Sequence, residues 1–261
     1  MIRINGLLVE LDGKSVINVD SAALSGSTII LGPNGAGKTV LLKTIVGFYK
    51  PSHGSIFIEE FDVNKANFPP RLVSTNMESA YLLSGGIYLN DLLDIYCKIF
   101  SCNMDVVRSL LSLINPKGKD LGHLSMGERK WLTTVLALNA DSRIVVLDEP
   151  LEDLDPWLSR KMAELILEHS RGKQVVMTLH STFFLKGFID WDTFLMFEGK
   201  LYGSLKARKL FASYLARGSR EDALLAIRIG GAYYSIVEEP TEGALPLKDV
   251  DDLTQLYRRM S

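Results

Sequence analysis

The eight residues from Gly32 to Thr39, GPNGAGKT, restrict what this chain can fold into more than any other stretch. They match a glycine, four residues and then Gly-Lys-Ser/Thr, the pattern of a phosphate-binding loop. Both flanks agree. Thr28-Ile29-Ile30-Leu31 is an apolar run that predicts a buried strand, and Val40 to Val46 carries helical spacing. A glycine-rich turn between strand and helix aims successive backbone N–H groups inward, and the helix N-terminus adds partial positive charge. In that setting Gly32, Asn34, Gly35 and Gly37 belong to the phosphate cradle. Lys38 lies against the β- and γ-phosphates, and the Thr39 hydroxyl is a Mg²⁺ ligand. The segment predicts a nucleoside triphosphate site.

The rest of the composition sets bounds around that site. A chain of 261 residues, 47% hydrophobic and 23% charged, has the make-up of an ordinary globular protein with a sizeable core. A net charge of −2 gives no global basic field for nucleic acid or anionic lipid, so no nucleic-acid partner is expected. No run approaches the roughly 18 apolar residues of a membrane span, and the first residues lack the pattern of a secretory leader. Cys97 and Cys102 fall in one expected helix, about 500° apart around it, which predicts neither a disulfide nor a metal site. A cytosolic protein is expected.

Strands Ile2 to Leu11 and Val16 to Ala23 precede the loop, and Ser55 to Ile58 follows its helix. From Leu89 to Ile114 the spacing turns helical, through Leu92, Leu93, Tyr96, Ile99 and Phe100, then Val106, Val107, Leu110 and Leu111. Helices at about 126–140 and 156–171 then alternate with strands Ile144 to Leu147 and Gln174 to Leu179, and a strand pair follows at 193–197 and 200–202. Alternation of this kind predicts an α/β fold with a mostly parallel sheet covered on both faces. The last 55 or so residues read as a helix over Leu205 to Arg217, a hairpin across Gly230-Gly231, and a closing helix with Val250, Leu253, Leu256 and Tyr257 on one face.

Two further stretches carry chemistry. The strand Ile144 to Leu147 ends in Asp148-Glu149-Pro150. A carboxylate at the end of a buried strand beside a phosphate loop suits Mg²⁺, and Glu149 can act as general base toward an attacking water. Upstream, Leu124-Ser125-Met126-Gly127-Glu128 has the Ser-x-x-Glu pattern of a capping box before a helix. A helix N-terminus with free amides is also an anion site, and the two readings are compatible.

Taken together, these motifs resemble the ATP-binding cassette family. GPNGAGKT stands as its Walker A loop, LSMGE as its LSGGQ signature, IVVLDEP as Walker B, Leu154-Asp155 within the D-loop, and His180 as the switch histidine. The resemblance covers about residues 1–203 in the right order and spacing. It implies a P-loop NTPase core with an N-terminal antiparallel β subdomain and a helical insert at about 79–123, leaving residues 204–261 as a small C-terminal α+β extension. It also implies two subunits, alike or different, meeting head to tail, with each ATP between one Walker A loop and the partner's signature. Ser125 and Gly127 would face the partner's γ-phosphate, His180 the γ-phosphate of its own subunit, and Glu149 would polarise the water.

Several positions depart from the family pattern. The Q-loop glutamine is replaced by Glu78, a further Mg²⁺ candidate, with Asn76 as a second candidate for that position. Met126 replaces a glycine and Glu128 a glutamine, while Trp131 stands where arginine is common. The adenine-stacking aromatic falls near Leu11. An extra charge about 6 Å from a phosphate costs roughly 1–3 kcal/mol at an effective dielectric of about 20–40. These changes predict a weakened signature half-site beside a sound Walker half-site, as in one half of an unequal pair. The function expected is the ATPase subunit of a transporter, lying on the cytoplasmic face of the membrane through a separate permease. Tyr81, Tyr88, Tyr96 and Phe100 of the insert are either its docking residues or core. The alternative is an ATPase outside transport, such as one for iron–sulfur assembly; a GTPase or small-molecule kinase leaves LSMGE and His180 unexplained.

Overall fold

Alternating side chains build the first sheet. Ile2, Ile4, Leu7 and Val9 of the strand Ile2–Leu11 are buried, with a shift of phase between Ile4 and Leu7 that coincides with a slip in pairing between Asn5 and Leu8. This strand lies between Lys14–Leu24 and His53–Ile58, and Phe61–Asp62 completes a four-stranded antiparallel sheet, as expected for the N-terminal β layer. The computed structural model describes residues 1–65, 67–69, 71–77, 88–116, 121–250 and 252–260. They divide into two compact units, 1–68 with 177–261, and 69–176.

In the first unit the strand Thr28–Leu31 is buried at every position, so its sequence after Thr28 is continuously apolar rather than alternating. It runs parallel to Asp192–Phe197, Thr28 opposite Asp192 and Leu31 opposite Leu195, and Lys200–Lys206 pairs antiparallel with Asp192–Phe197. A third sheet is antiparallel. Its hairpin, Leu225–Ile229 and Ala232–Val237, turns at Gly230-Gly231 as the sequence predicts.

The helix expected over 205–217 is shorter. It ends at Ala212 (Ala207–Ala212), and Tyr214–Arg217 becomes a strand against Ala232–Val237. The hairpin leaves an open edge there, and pairing with that edge buries Leu215 and Ala216, a gain that outweighs one more helical turn.

In the second unit Val73–Thr75 runs parallel to Ile144–Leu147. The helices are Leu89–Phe100, Met104–Leu111, Met126–Asn139 and Pro156–His169. Trp131 is fully buried and its indole N–H donates to the Leu110 carbonyl at 3.0 Å, tying Met126–Asn139 to Met104–Leu111. Leu92, Leu93, Val107 and Leu111 face inward as their spacing predicts, whereas Ile99 and Val106 from the same series are exposed.

The cysteines depart from expectation. The helix stops at Phe100, Ser101 takes a left-handed conformation with φ of 53°, and the Cys102 N–H donates back to the Cys97 carbonyl at 3.2 Å. The thiols therefore meet rather than diverge. Burial and then the hydrogen bond to Cys97 push the Cys102 thiol up to about 12. Both cysteines are free.

Candidate functional site

The first unit supplies the phosphate loop. Gly32 stands at the end of the strand Thr28–Leu31, where its N–H donates to the Leu179 carbonyl at 3.1 Å. A Cβ at this position would lie 2.3 Å from the Met196 carbonyl oxygen, so only glycine fits. The chain then turns through Asn34 and Gly35, both exposed, into the helix Lys38–Ile45, with Gly37 as its N-cap. Lys38 is buried, and its ammonium donates to the carbonyls of Gly32 at 2.8 Å and Pro33 at 3.0 Å. The cation that would meet phosphate thus folds back over its own loop. Thr39, at the helix start, is exposed.

His180 follows the strand Gln174–Leu179 directly and is half-buried. Leu179, its neighbour, accepts the Gly32 N–H, so this unit brings the histidine-bearing strand end to the start of the loop. Sequence reasoning missed a third participant. The closing helix Leu253–Met260 lies on both pieces: the Leu253 N–H donates to the His180 carbonyl at 3.2 Å, and the Thr254 hydroxyl accepts the Asn34 N–H at 3.0 Å.

The second unit supplies the carboxylates and the signature. The strand Ile144–Leu147 is wholly buried, and Asp148 and Glu149 follow it, half-buried. Glu149 has φ of 46°, a left-handed conformation that is uncommon away from glycine and concentrates at functional positions. The backbone of Asp148 is held on both sides. Its N–H donates to the Asn76 Oδ1 at 2.7 Å, while its carbonyl accepts from Asn76 Nδ2 at 3.3 Å and from Lys130 Nζ at 3.1 Å. Asn76 is only 4% exposed and also donates to Thr134 Oγ1 at 3.1 Å. Its amide is spent on the Asp148 backbone and the Thr134 hydroxyl, and the preceding Val73-Ser74-Thr75 carries no local signal that marks it. Glu78 lies outside the described residues, as does Tyr81.

At residues 124–128 the capping box expected from the sequence is formed. Ser125 is the N-cap of Met126–Asn139, its hydroxyl accepting the Glu128 N–H at 3.2 Å, and Glu128 Oε2 accepts the Ser125 N–H at 2.7 Å. A full negative charge therefore already sits at this helix tip. Met126 is 71% exposed, standing beside Ser125, which is also exposed. A Cβ on Gly127 would lie 2.4 Å from the Asp153 carbonyl oxygen, so the signature helix and the acidic loop after Glu149 pack backbone to backbone. Asp155 of that loop caps Pro156–His169, accepting the N–H groups of Trp157 at 2.9 Å and Leu158 at 3.0 Å.

Several known proteins are similar to this chain. A family profile described as ABC transporter matches residues 22–152. The taurine import ATP-binding protein TauB of Yersinia pestis is 31% identical over 201 residues, which cover 69% of this chain and 73% of that protein. The manganese transport system ATP-binding protein MntA of Synechocystis is 27% identical over 181 residues, covering 62% of this chain and 67% of its own length. Among solved structures, a crystal structure provisionally described as a cobalt transport ATP-binding protein superposes with a TM-score of 0.86 at 30% identity, covering 99% of each chain.

Proposed function

The chain belongs to the ABC transporter family as an ATP-binding cassette ATPase, and from that premise we propose that it powers a separate membrane-spanning partner through ATP-driven closure of two such subunits. In this reading the amides of the Gly32–Thr39 loop and the Lys38 ammonium hold the triphosphate, with Lys38 leaving the Gly32 and Pro33 carbonyls as phosphate arrives. Glu149 accepts a proton from the attacking water, and His180 orients the γ-phosphate. Ser125 and Gly127 present the signature tip to the ATP of a second cassette.

Mg²⁺ fits the donors offered, since the Thr39 hydroxyl and the Asp148 carboxylate are hard oxygen ligands of the kind that cation prefers. When bound it would neutralise phosphate charge, and Asn76 and Lys130 fix the backbone of Asp148, which would hold it. Each half-site then has a distinct quality. In this reading the phosphate loop keeps its Gly-Lys-Thr chemistry, whereas the signature half carries the Glu128 carboxylate and the exposed Met126 where it would approach phosphate closely. This supports a role as one member of an unequal pair.

A single observation carries the transport reading. The N-cap Tyr88 and residues Ile95 and Ile99 of the helix Leu89–Phe100 are 56%, 57% and 49% exposed, and spacings of seven and four put them on one stripe. Tyr96 and Phe100 stack on each other at 4.6 Å instead. An apolar stripe left open on a helix suits a helix of a membrane partner laid across it, which would hold the chain at the cytoplasmic face. Detergent-solubilised membranes incubated with the tagged chain should yield a multi-spanning protein. Ile95→Asp with Ile99→Asp should lose that partner while the isolated subunit hydrolyses ATP as before. Capture of the same protein by the double variant would remove this stripe from the interface.

A further inference from the structure

The C-terminal residues have no part in the chemistry described so far, yet they grip the phosphate loop from outside. The Asn34 N–H donates to the Thr254 hydroxyl at 3.0 Å. Two residues further along the loop, the Ala36 carbonyl accepts the Gly199 N–H at 3.0 Å. These two anchors are themselves joined. Glu198, beside Gly199 in the turn between Asp192–Phe197 and Lys200–Lys206, uses Oε1 to accept the Tyr257 hydroxyl at 3.1 Å and the Gly230 N–H at 2.7 Å. The Tyr257 ring stacks on Phe197 with centroids 6.3 Å apart. Tyr257 and Thr254 lie three apart on one helix, so they share a face. The circuit closes from Asn34 through Thr254, Tyr257, Glu198 and Gly199 back to Ala36.

The helix is held at its own start as well. Asp252 Oδ1 accepts the Thr254 N–H at 2.7 Å, the Val250 carbonyl accepts the buried Thr182 hydroxyl, and Leu253 is buried with its N–H on the His180 carbonyl. Adjacent residues of one helix thereby bond the phosphate loop and the histidine-bearing strand end.

We infer that the closing helix, together with the Glu198–Gly199 turn, is a collar that pre-organises the phosphate loop, and that Thr254 is a positioning residue for ATP binding. The inference rests on the nucleotide-site reading given above. An exposed glycine-containing turn samples many backbone conformations, and aligning its amides only when phosphate arrives would weaken binding. Fixing Asn34 on one side and Ala36 on the other removes that freedom beforehand.

The test uses the full chain and calorimetric titration with a non-hydrolysable ATP analogue and Mg²⁺. Thr254→Val keeps the shape of the side chain and deletes the acceptor, and the dissociation constant should rise about threefold to tenfold, as for one lost hydrogen bond. Thr254→Ser restores the acceptor and should bring the constant back to within about twofold of the starting protein. Tyr257→Phe keeps the ring on Phe197, and its smaller loss should be less than multiplicative with Thr254→Val because both act through one circuit. Unchanged or tighter binding by Thr254→Val overturns the inference, as does a loss that Thr254→Ser fails to rescue while the thermal midpoint falls. Lys38→Ala separates the two levels of the claim. If it binds normally, the nucleotide-site reading itself fails; if it loses binding while Thr254→Val does not, only the collar fails.

Discussion

Glu149 combines a carboxylate two residues past a buried strand with a backbone φ of 46° that glutamate rarely adopts. Such a conformation persists only when its surroundings over-determine it, which is what the adjacent Asp148, bonded through both its N–H and its carbonyl, provides. Replacing Glu149 with Gln preserves shape and removes the proton acceptor. Turnover should fall about 10²–10⁴-fold with ATP affinity unchanged, read by phosphate release beside calorimetry. Near-normal turnover would take Glu149 out of the base role. Asn76 shows where residue-level reading stops. It is the second candidate, after Glu78, for the Q-loop position, and its buried amide bonds the Asp148 backbone and the Thr134 hydroxyl. Nothing in one sequence says which face of a short strand end meets its neighbour.

The elements that were legible are those encoded over short distances. The fully buried strands Thr28–Leu31 and Ile144–Leu147, the glycine-rich turn and the Ser125–Glu128 capping box each announce themselves within ten residues. The elements that were misread depend on remote partners. Tyr214–Arg217 is a strand because Ala232–Val237 offers an edge, and the hydrogen bond from Asn34 to Thr254 spans 220 residues of sequence. No local periodicity records either. The signature helix belongs to the legible set and yields a prediction of its own. Glu128→Gln keeps a side-chain acceptor for the Ser125 N–H and deletes the charge at the helix tip. ATP-dependent association with a second cassette should strengthen by about tenfold, since a charge near phosphate costs on the order of 1–3 kcal/mol. The thermal midpoint should barely move. Weaker association in sedimentation would mean that Glu128 assists the partner instead of opposing it.

At the scale of the whole molecule, the Gly32–Thr39 loop and His180 reside in one compact unit, and Ser125, Gly127, Asp148 and Glu149 in the other. Among the described residues no helix is long and apolar enough to cross a membrane. The two-subunit reading predicts that the Glu149→Gln protein, trapped with ATP, shifts from monomer toward dimer in size-exclusion chromatography. The unequal-pair reading adds that a cassette with an unaltered LSGGQ signature should form that dimer at lower concentration than a second copy of this chain. Equal association in both mixtures would remove the asymmetry.

The contact between Gly127 and the Asp153 carbonyl has a further bearing. With no methyl-sized gap between them, the signature tip and the acidic loop after Glu149 are geared together, so displacing either must carry the other along. Anyone grafting a consensus signature into this protein would therefore be retuning two surfaces at once, and a graft that ignores Asp153 would leave the gears out of mesh.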